Sequence, residues 1–251
     1  MAGALTNQRL SISADGASGS IHLKKTVLFG YADLLAVGCR TLLGLSIGYN
    51  YQSMSLPEFS TKQSVKCQRP HTPKANQRYF EPFQILDCKF EEFTIVVVNT
   101  ETPASKCHYI VNHLLSLCQQ SKVEKFIVLS CVRVELESAY LNYHKQFENN
   151  FNTTKVTTYP SLPGDTLIKD PMLNTIVQLF KIARIPLTII ATVGHKAHYG
   201  QTLDCEFAKE AVKTMQMKLA RITGLEFDYE FSESLVFDDY KRCHTVMAMY
   251  S

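Results

Sequence analysis

The chain has 251 residues, enough for one large α/β domain or two small ones. Apolar residues make up 45% of it, which supports a substantial core, and 26 basic against 23 acidic residues leave a net charge of +3, too even a balance to mark a nucleic-acid reader. The 8 cysteines stand singly with no Cys-x-x-Cys, which argues against structural disulfides and reads as a reducing compartment, the cytoplasm or the nucleus.

Residues 1–24 are rich in Ser, Ala and Gly and lack the apolar core of a signal peptide, so disorder is expected. Residues 25–240 are expected to form a single α/β domain, and 241–251 a flexible tail. The stretch 26–48 follows two lysines and is mostly apolar, as a membrane anchor would be. Asp33 and Arg40 lie inside it, and each would cost about 2.5–3.5 kcal/mol near a bilayer centre. No membrane insertion is therefore expected. In its place the pattern predicts a strand over Val27–Tyr31, a helix over Leu34–Leu43 capped by Asp33 and ended by Gly44, and a strand in which Leu45, Ile47, Tyr49 and Tyr51 alternate. A loop at about 55–80 follows. Its part 61–80 holds Lys62, Lys66, Arg69, Lys74 and Arg78 with no acid, and is expected to be a solvated, mobile insertion. Phe83–Phe90 reads as a strand.

Residues 94–134 form the clearest unit. Thr94–Asn99 and Phe126–Val132 are uncharged runs rich in β-branched residues, as strands buried on both faces require. Between them Thr102 is placed to cap a helix with Pro103 at its first position. Cys107, Ile110, Val111, Leu114, Leu115 and Cys118 recur at three- and four-residue steps and form its apolar face. Strand, crossover helix and strand imply parallel pairing. Further on, a helix is placed around Leu136–Phe147 and a strand at Lys155–Tyr159. Ser161–Lys169 reads as a loop. Asp170 then caps a helix with Pro171 at its first position and Leu173, Ile176, Val177, Phe180 and Ala183 on one face. Leu187–Val193 is a strand. Asp204 is placed to cap a helix bearing Phe207, Ala211, Val212, Met215 and Leu219, with Gly224 past its end. Leu225, Phe227, Tyr229 and Phe231 alternate as in a final strand.

The residues offer little catalytic chemistry. There is no G-x-G-x-x-G and no G-x-x-x-x-G-K-[ST], hence no phosphate cradle and no cofactor site is expected. Cys131, near the end of a predicted central strand, is the candidate nucleophile of a small α/β enzyme, a nucleosidase or thiol hydrolase, which would also need a histidine. A free Cys in an apolar strand is more often a small buried hydrophobe, and that reading is preferred. His195 and His198, with Asp204 and Cys205 downstream, match no common zinc spacing. Asp165, Lys169 and Asp170 read as solvated loop charges. The terminal Met249-Tyr250-Ser251 is different. It presents an aromatic anchor beside a carboxylate, and such a terminus suits capture in a groove lined by a lysine or backbone donors.

Several stretches resemble the proteasome assembly chaperone family, whose members help build the α ring of the proteasome core particle. The resemblance spans roughly residues 85–200 plus the tail. It is carried by IVVVNTETPASKCHYIVNHLLSLC, KFIVLSCVRV and DPMLNTIVQLFKIARIPLTIIATVGHK. Met249-Tyr250-Ser251 is similar to the hydrophobic-Tyr-X tail that such chaperones insert between α subunits. The segment GYADLLAVGCRTLLGLSIGYNY matches the second member of the family's pair about as well, while the tail and residues 170–196 favour the first. The resemblance implies a three-layer αβα sandwich with a mostly parallel or mixed sheet, no catalytic activity and no cofactor. It also implies a heterodimer with a homologous assembly chaperone, and α-ring binding through the folded surface and through Met249, Tyr250 and Ser251.

Overall fold

The computed structural model describes residues 21–46, 49–53, 63–67, 81–88, 92–132, 142–147, 168–193 and 206–237. Strand β1 (Thr26–Tyr31) leads into helix α1 (Val37–Leu43), then β2 (Tyr49–Ser53), β3 (Val65–Cys67), β4 (Phe83–Cys88) and β5 (Phe93–Val98). Helix α2 (Ala104–Gln120), β6 (Lys125–Val132), β7 (Asn142–Phe147), α3 (Pro171–Ile182) and β8 (Leu187–Val193) follow. Helices α4 (Glu206–Thr223) and α5 (Tyr229–Glu233) and strand β9 (Leu235–Phe237) close the described chain.

Seven strands form one mixed sheet in the order β2-β4-β5-β1-β6-β8-β7. The four central strands β5, β1, β6 and β8 run parallel, and β4, β2 and β7 join the two sides antiparallel. Alternate residues of each central strand enter opposite cores, which is why these strands read as unbroken apolar runs. On one side Phe29, Tyr31, Val96, Phe126, Val128 and Ile189 meet α2 and α3. On the other, Leu28, Ile95, Val97, Ile127, Leu129 and Ile190 meet α1, α4 and α5. The fold is thus a three-layer αβα sandwich. Phe126 is the hinge of the first core, with its ring centroid 5.7 Å from that of Phe29 and 4.4 Å from that of Phe180. Such tilted aromatic pairs add to what their buried area contributes.

Several elements stand where the pattern predicts them. Asp170 caps α3 by accepting the Leu173 N–H at 2.7 Å, with Pro171 at the first position. Leu187–Val193 is a strand with those bounds. Other elements differ, each for a physical reason. The strands β5 and β6 are parallel, but they do not pair with each other, because β1 lies between them and bonds both. Pro103, not Thr102, is the N-cap of α2, and the Thr102 hydroxyl turns back to the Thr100 carbonyl. The helix placed around Leu136–Phe147 is replaced by β7, which pairs along its whole length with β8. Backbone pairing with an open sheet edge outweighs a weak helix pattern there. The final strand over 225–231 shrinks to one bridge, Phe227 to Leu45. Asp228 then accepts the Phe231 N–H at 3.0 Å and starts α5.

The loop expected at about 55–80 contains a strand. Val65–Cys67 pairs antiparallel with Leu235–Phe237, Val65 is fully buried, and both backbone groups of Val65 bond the Asn99 side chain. The segment expected to be disordered at 1–24 also joins the body at its end, where Leu23 is buried and its N–H bonds the Ser121 hydroxyl. The expectations for residues 1–20, for Lys155–Tyr159 and for the tail at 241–251 lie outside the described residues. Among the described residues no helix is long and apolar enough to cross a membrane.

Asn99 is a buried amide whose oxygen and nitrogen both serve Val65. Asn99→Ala leaves those backbone groups without partners, so urea titration should show a loss of about 1–3 kcal/mol. Leu114→Ala empties the centre of the α2 core and should cost about 2–5 kcal/mol in the same assay.

Candidate functional site

In open α/β sheets, ligand chemistry gathers where the parallel strands end. Here that edge carries a buried polar cluster. Tyr31 closes β1, and its hydroxyl lies 2.9 Å from the Ser130 hydroxyl and donates to Asp170 Oδ1 at 3.0 Å. Two residues later Asp33 turns the chain into α1. Its Oδ1 accepts the Val37 N–H at 2.8 Å, and its Oδ2 accepts the Cys131 N–H. One carboxyl therefore holds the start of a helix and pins the end of β6. The N-cap of α1 is Ala36 and not Asp33, and the helix begins at Val37 instead of Leu34, because residues 34–36 form a turn with Ala36 in the left-handed region; the Asp33 carboxyl bonds the first helical N–H from outside the cap position.

Burial controls the electrostatics of this cluster. It pushes the Asp33 carboxyl up to about 7, and the nearby Asp170 carboxylate adds to the shift, while the N–H groups of Cys131, Val37 and Gly38 oppose it. Burial also pushes the Tyr31 hydroxyl well above its usual range, with Asp170 and Asp33 adding. The Cys131 thiol is pushed well above the ordinary thiol range, first by burial and then by the Asp33 carboxylate. A raised thiol pKa beside an acid is the reverse of what activates a nucleophile. Cys39, Cys107 and Cys118 share the upward shift, each chiefly through burial. The cluster holds structure together, and nothing in it poises Cys131 for attack.

The other candidates scatter. His195, His198, Asp204, Cys205 and Asp165 lie outside the described residues, and Lys169 is exposed. Asp170 is spent on its helix cap and on Tyr31. Among the described residues no group of three or more His, Cys, Asp or Glu is placed to hold a metal ion. Met249, Tyr250 and Ser251 are also outside them, and β9 is the last described element. Strand β9 ends at Phe237, opposite Val65, and is held from both sides. The Arg40 guanidinium, fully buried, donates to the Leu235 carbonyl. Cys67 Sγ lies 3.3 Å from the Ser234 hydroxyl. The Asn99 carbonyl accepts from Ser64 at 3.1 Å, so the ribbon sits at the carboxyl edge of the sheet. Sequence reasoning gave Arg40 and Asn99 no such role, since their partners are respectively 195 and 34 positions away.

No protein-family model matches the chain, and no curated protein sequence matches it. Solved structures do. PbaB of Pyrococcus furiosus, described as an archaeal proteasome activator, is 11% identical, covers 92% of this chain and 95% of its own, and superposes with a TM-score of 0.58. PbaA of the same organism, described as an archaeal homolog of proteasome-assembly chaperone, is 12% identical over 91% and 92%, with a TM-score of 0.57. A proteasome-assembly chaperone homologue of Mycobacterium tuberculosis is 9% identical over 88% and 94%, with a TM-score of 0.50. The likeness is one of fold. It extends over nearly the whole of both chains in each case, so the layers described above are shared from end to end.

The Asp33 carboxyl makes stability depend on pH. Its folded value, about 7, lies above the ordinary carboxylate value, so between about 4 and 7 the folded chain keeps a proton that the unfolded chain has released. Its contribution therefore grows as pH falls from 7 toward 4 and is constant above 7. Asp33→Asn removes the titration. The difference in unfolding free energy between wild type and this variant should fall as pH rises from 4.5 to 7, then level off. A flat difference would mean an ordinary carboxyl. In the folded protein Cys131 should also resist iodoacetamide, with mass spectrometry showing modification only after denaturation.

Proposed function

We propose that this chain is a member of the proteasome assembly chaperone family, of the first type in the family's pair. On this reading it is not an enzyme. It works in the cytoplasm and nucleus as a heterodimer with a homologous chaperone, and it assists assembly of the proteasome core particle by binding the α ring. One observation carries the reading: the fold is shared along nearly its full length with archaeal proteins described as a proteasome activator and a proteasome-assembly chaperone homolog. The state of Cys131, deep in the sheet with its thiol pKa raised, speaks against the thiol-enzyme alternative.

Recognition then divides between the folded surface and the tail. Met249, being flexible, adapts to an apolar groove wall, and Tyr250 fills the groove while its hydroxyl finds a polar partner. The Ser251 carboxylate meets a cation of the ring, and partial desolvation strengthens that contact over an exposed pair. Because the tail is covalently joined to the folded body, it is at a high effective concentration beside the ring once the folded surface has docked.

Three variants test the tail: Tyr250→Ala, deletion of Ser251, and one residue added after Ser251. Each should keep the wild-type melting temperature and weaken α-ring binding by about tenfold or more, the usual scale for losing one buried aromatic or charged anchor. Unchanged ring binding by all three at matched salt would remove the tail from the account.

A further inference from the structure

The two helix layers differ sharply in charge. On α4 the exposed described residues are Lys209, Glu210, Lys213, Met217 and Arg221, four of the five charged. On α2 none of the exposed residues is charged; they include Ser105, His108, Tyr109, Asn112, Ser116 and Gln119. On α3 they are Pro171, Asn174, Gln178, Lys181 and Ile182, with one charge at the very end. The two helices pack side by side over the same core. Both begin at the carboxyl edge of the sheet, so they run in the same direction. This layer also carries two large exposed apolar side chains, Tyr109 at 45% and Ile182 at 78%.

An exposed helix face normally carries charge for solubility, as α4 does. Depletion of charge together with exposed Tyr is the composition of an interface centre. The neutrality also restricts the partner. A strongly acidic or basic surface would gain nothing here. In a two-fold contact, by contrast, each position near the axis meets its own equivalent, so any charge there faces a like charge. A face without charges escapes that penalty. Helix α2 is about 25 Å long, and two adjacent helices of about 10 Å width give a footprint of roughly 500 Å² per partner, or about 1,000 Å² in all, which reaches the lower bound of a specific interface.

We propose that the outer face of α2 and α3 is the surface through which this chain pairs with a second chain of the same fold, α2/α3 layer against α2/α3 layer. Naming that second chain as a homologous assembly chaperone rests on the proposed function; the surface itself rests on the charge pattern. Pairing through this layer leaves the α4 layer and the β3–β9 ribbon open for the proteasome.

The test uses the full chain co-expressed with a homologous chaperone and measures assembly by light scattering after gel filtration. The variants are Tyr109→Glu, Ile182→Glu and, as a control on the other layer, Lys213→Glu. Both side chains to be changed on the neutral face are exposed, so the melting temperatures should stay at the wild-type value. Each Glu on that face should weaken pairing at least tenfold, and Lys213→Glu should leave it unchanged. Pairing by Tyr109→Glu and Ile182→Glu at wild-type strength would overturn the surface while leaving the chaperone reading intact. A wild-type chain that pairs with no chain of its own fold would overturn both. A homodimer broken by the two variants, with no α subunits bound, would uphold the surface and remove the chaperone reading.

Discussion

Backbone-to-backbone contact between α1 and the sheet is the constraint on which the architecture rests. A side chain built at Gly30 in β1 would meet the Gly38 carbonyl oxygen of α1 at 2.5 Å, and one at Gly38 would strike the backbone of Leu129 in β6. Only two glycines allow a helix to lie this close to the strands, since any Cβ would need the backbone to move. The consequences spread outward. All seven residues of α1 are buried, Arg40 and Thr41 among them. A helix so deep needs a cover, and α4 supplies it. Arg40 cannot reach water from there, and its guanidinium is used to hold the Leu235 carbonyl. The turn from β1 into α1 is equally tight, and the Asp33 carboxyl secures it by bonding Val37 and Cys131 together.

That constraint was not legible in the sequence, though much else was. The central strands were, because a strand buried on both faces has to be uncharged and mostly apolar along its length, as Phe126–Val132 and Leu187–Val193 are, with only Ser130, Thr188 and Thr192 as small polar exceptions. The start of α3 was, because Asp-Pro before an apolar helix is a local signal with a local cause. What escaped depends on distant partners. Gly30 and Gly38 look like ordinary glycines until the helix is laid on the sheet. Val65 hides in a basic, proline-containing stretch, and its strand exists only because β9 pairs with it and Asn99 grips it. Strand β7 has no clear alternation of its own and is defined by the edge of β8. The insertion of β1 between β5 and β6 likewise follows from the fit of the whole sheet, since adjacency in sequence favours direct pairing of the strands joined by α2.

The site was legible in a different way. The sequence holds neither phosphate-loop motif, and burial raises the Cys131 thiol, in keeping with a structural cysteine. The polar cluster at the carboxyl edge occupies the place where an enzyme of this architecture would work, yet its groups are engaged with one another: Tyr31 with Ser130 and Asp170, and Asp33 with two backbone N–H groups. On the proposed reading, function falls to the folded surface and to Met249-Tyr250-Ser251.

The most direct measurement is affinity purification of the full chain from its own cells, followed by quantitative mass spectrometry. The proposed function predicts proteasome α subunits together with one homologous chaperone in equal amount to the bait. Recovery of the chain free of α subunits, at a depth that detects the same-fold partner, would contradict it.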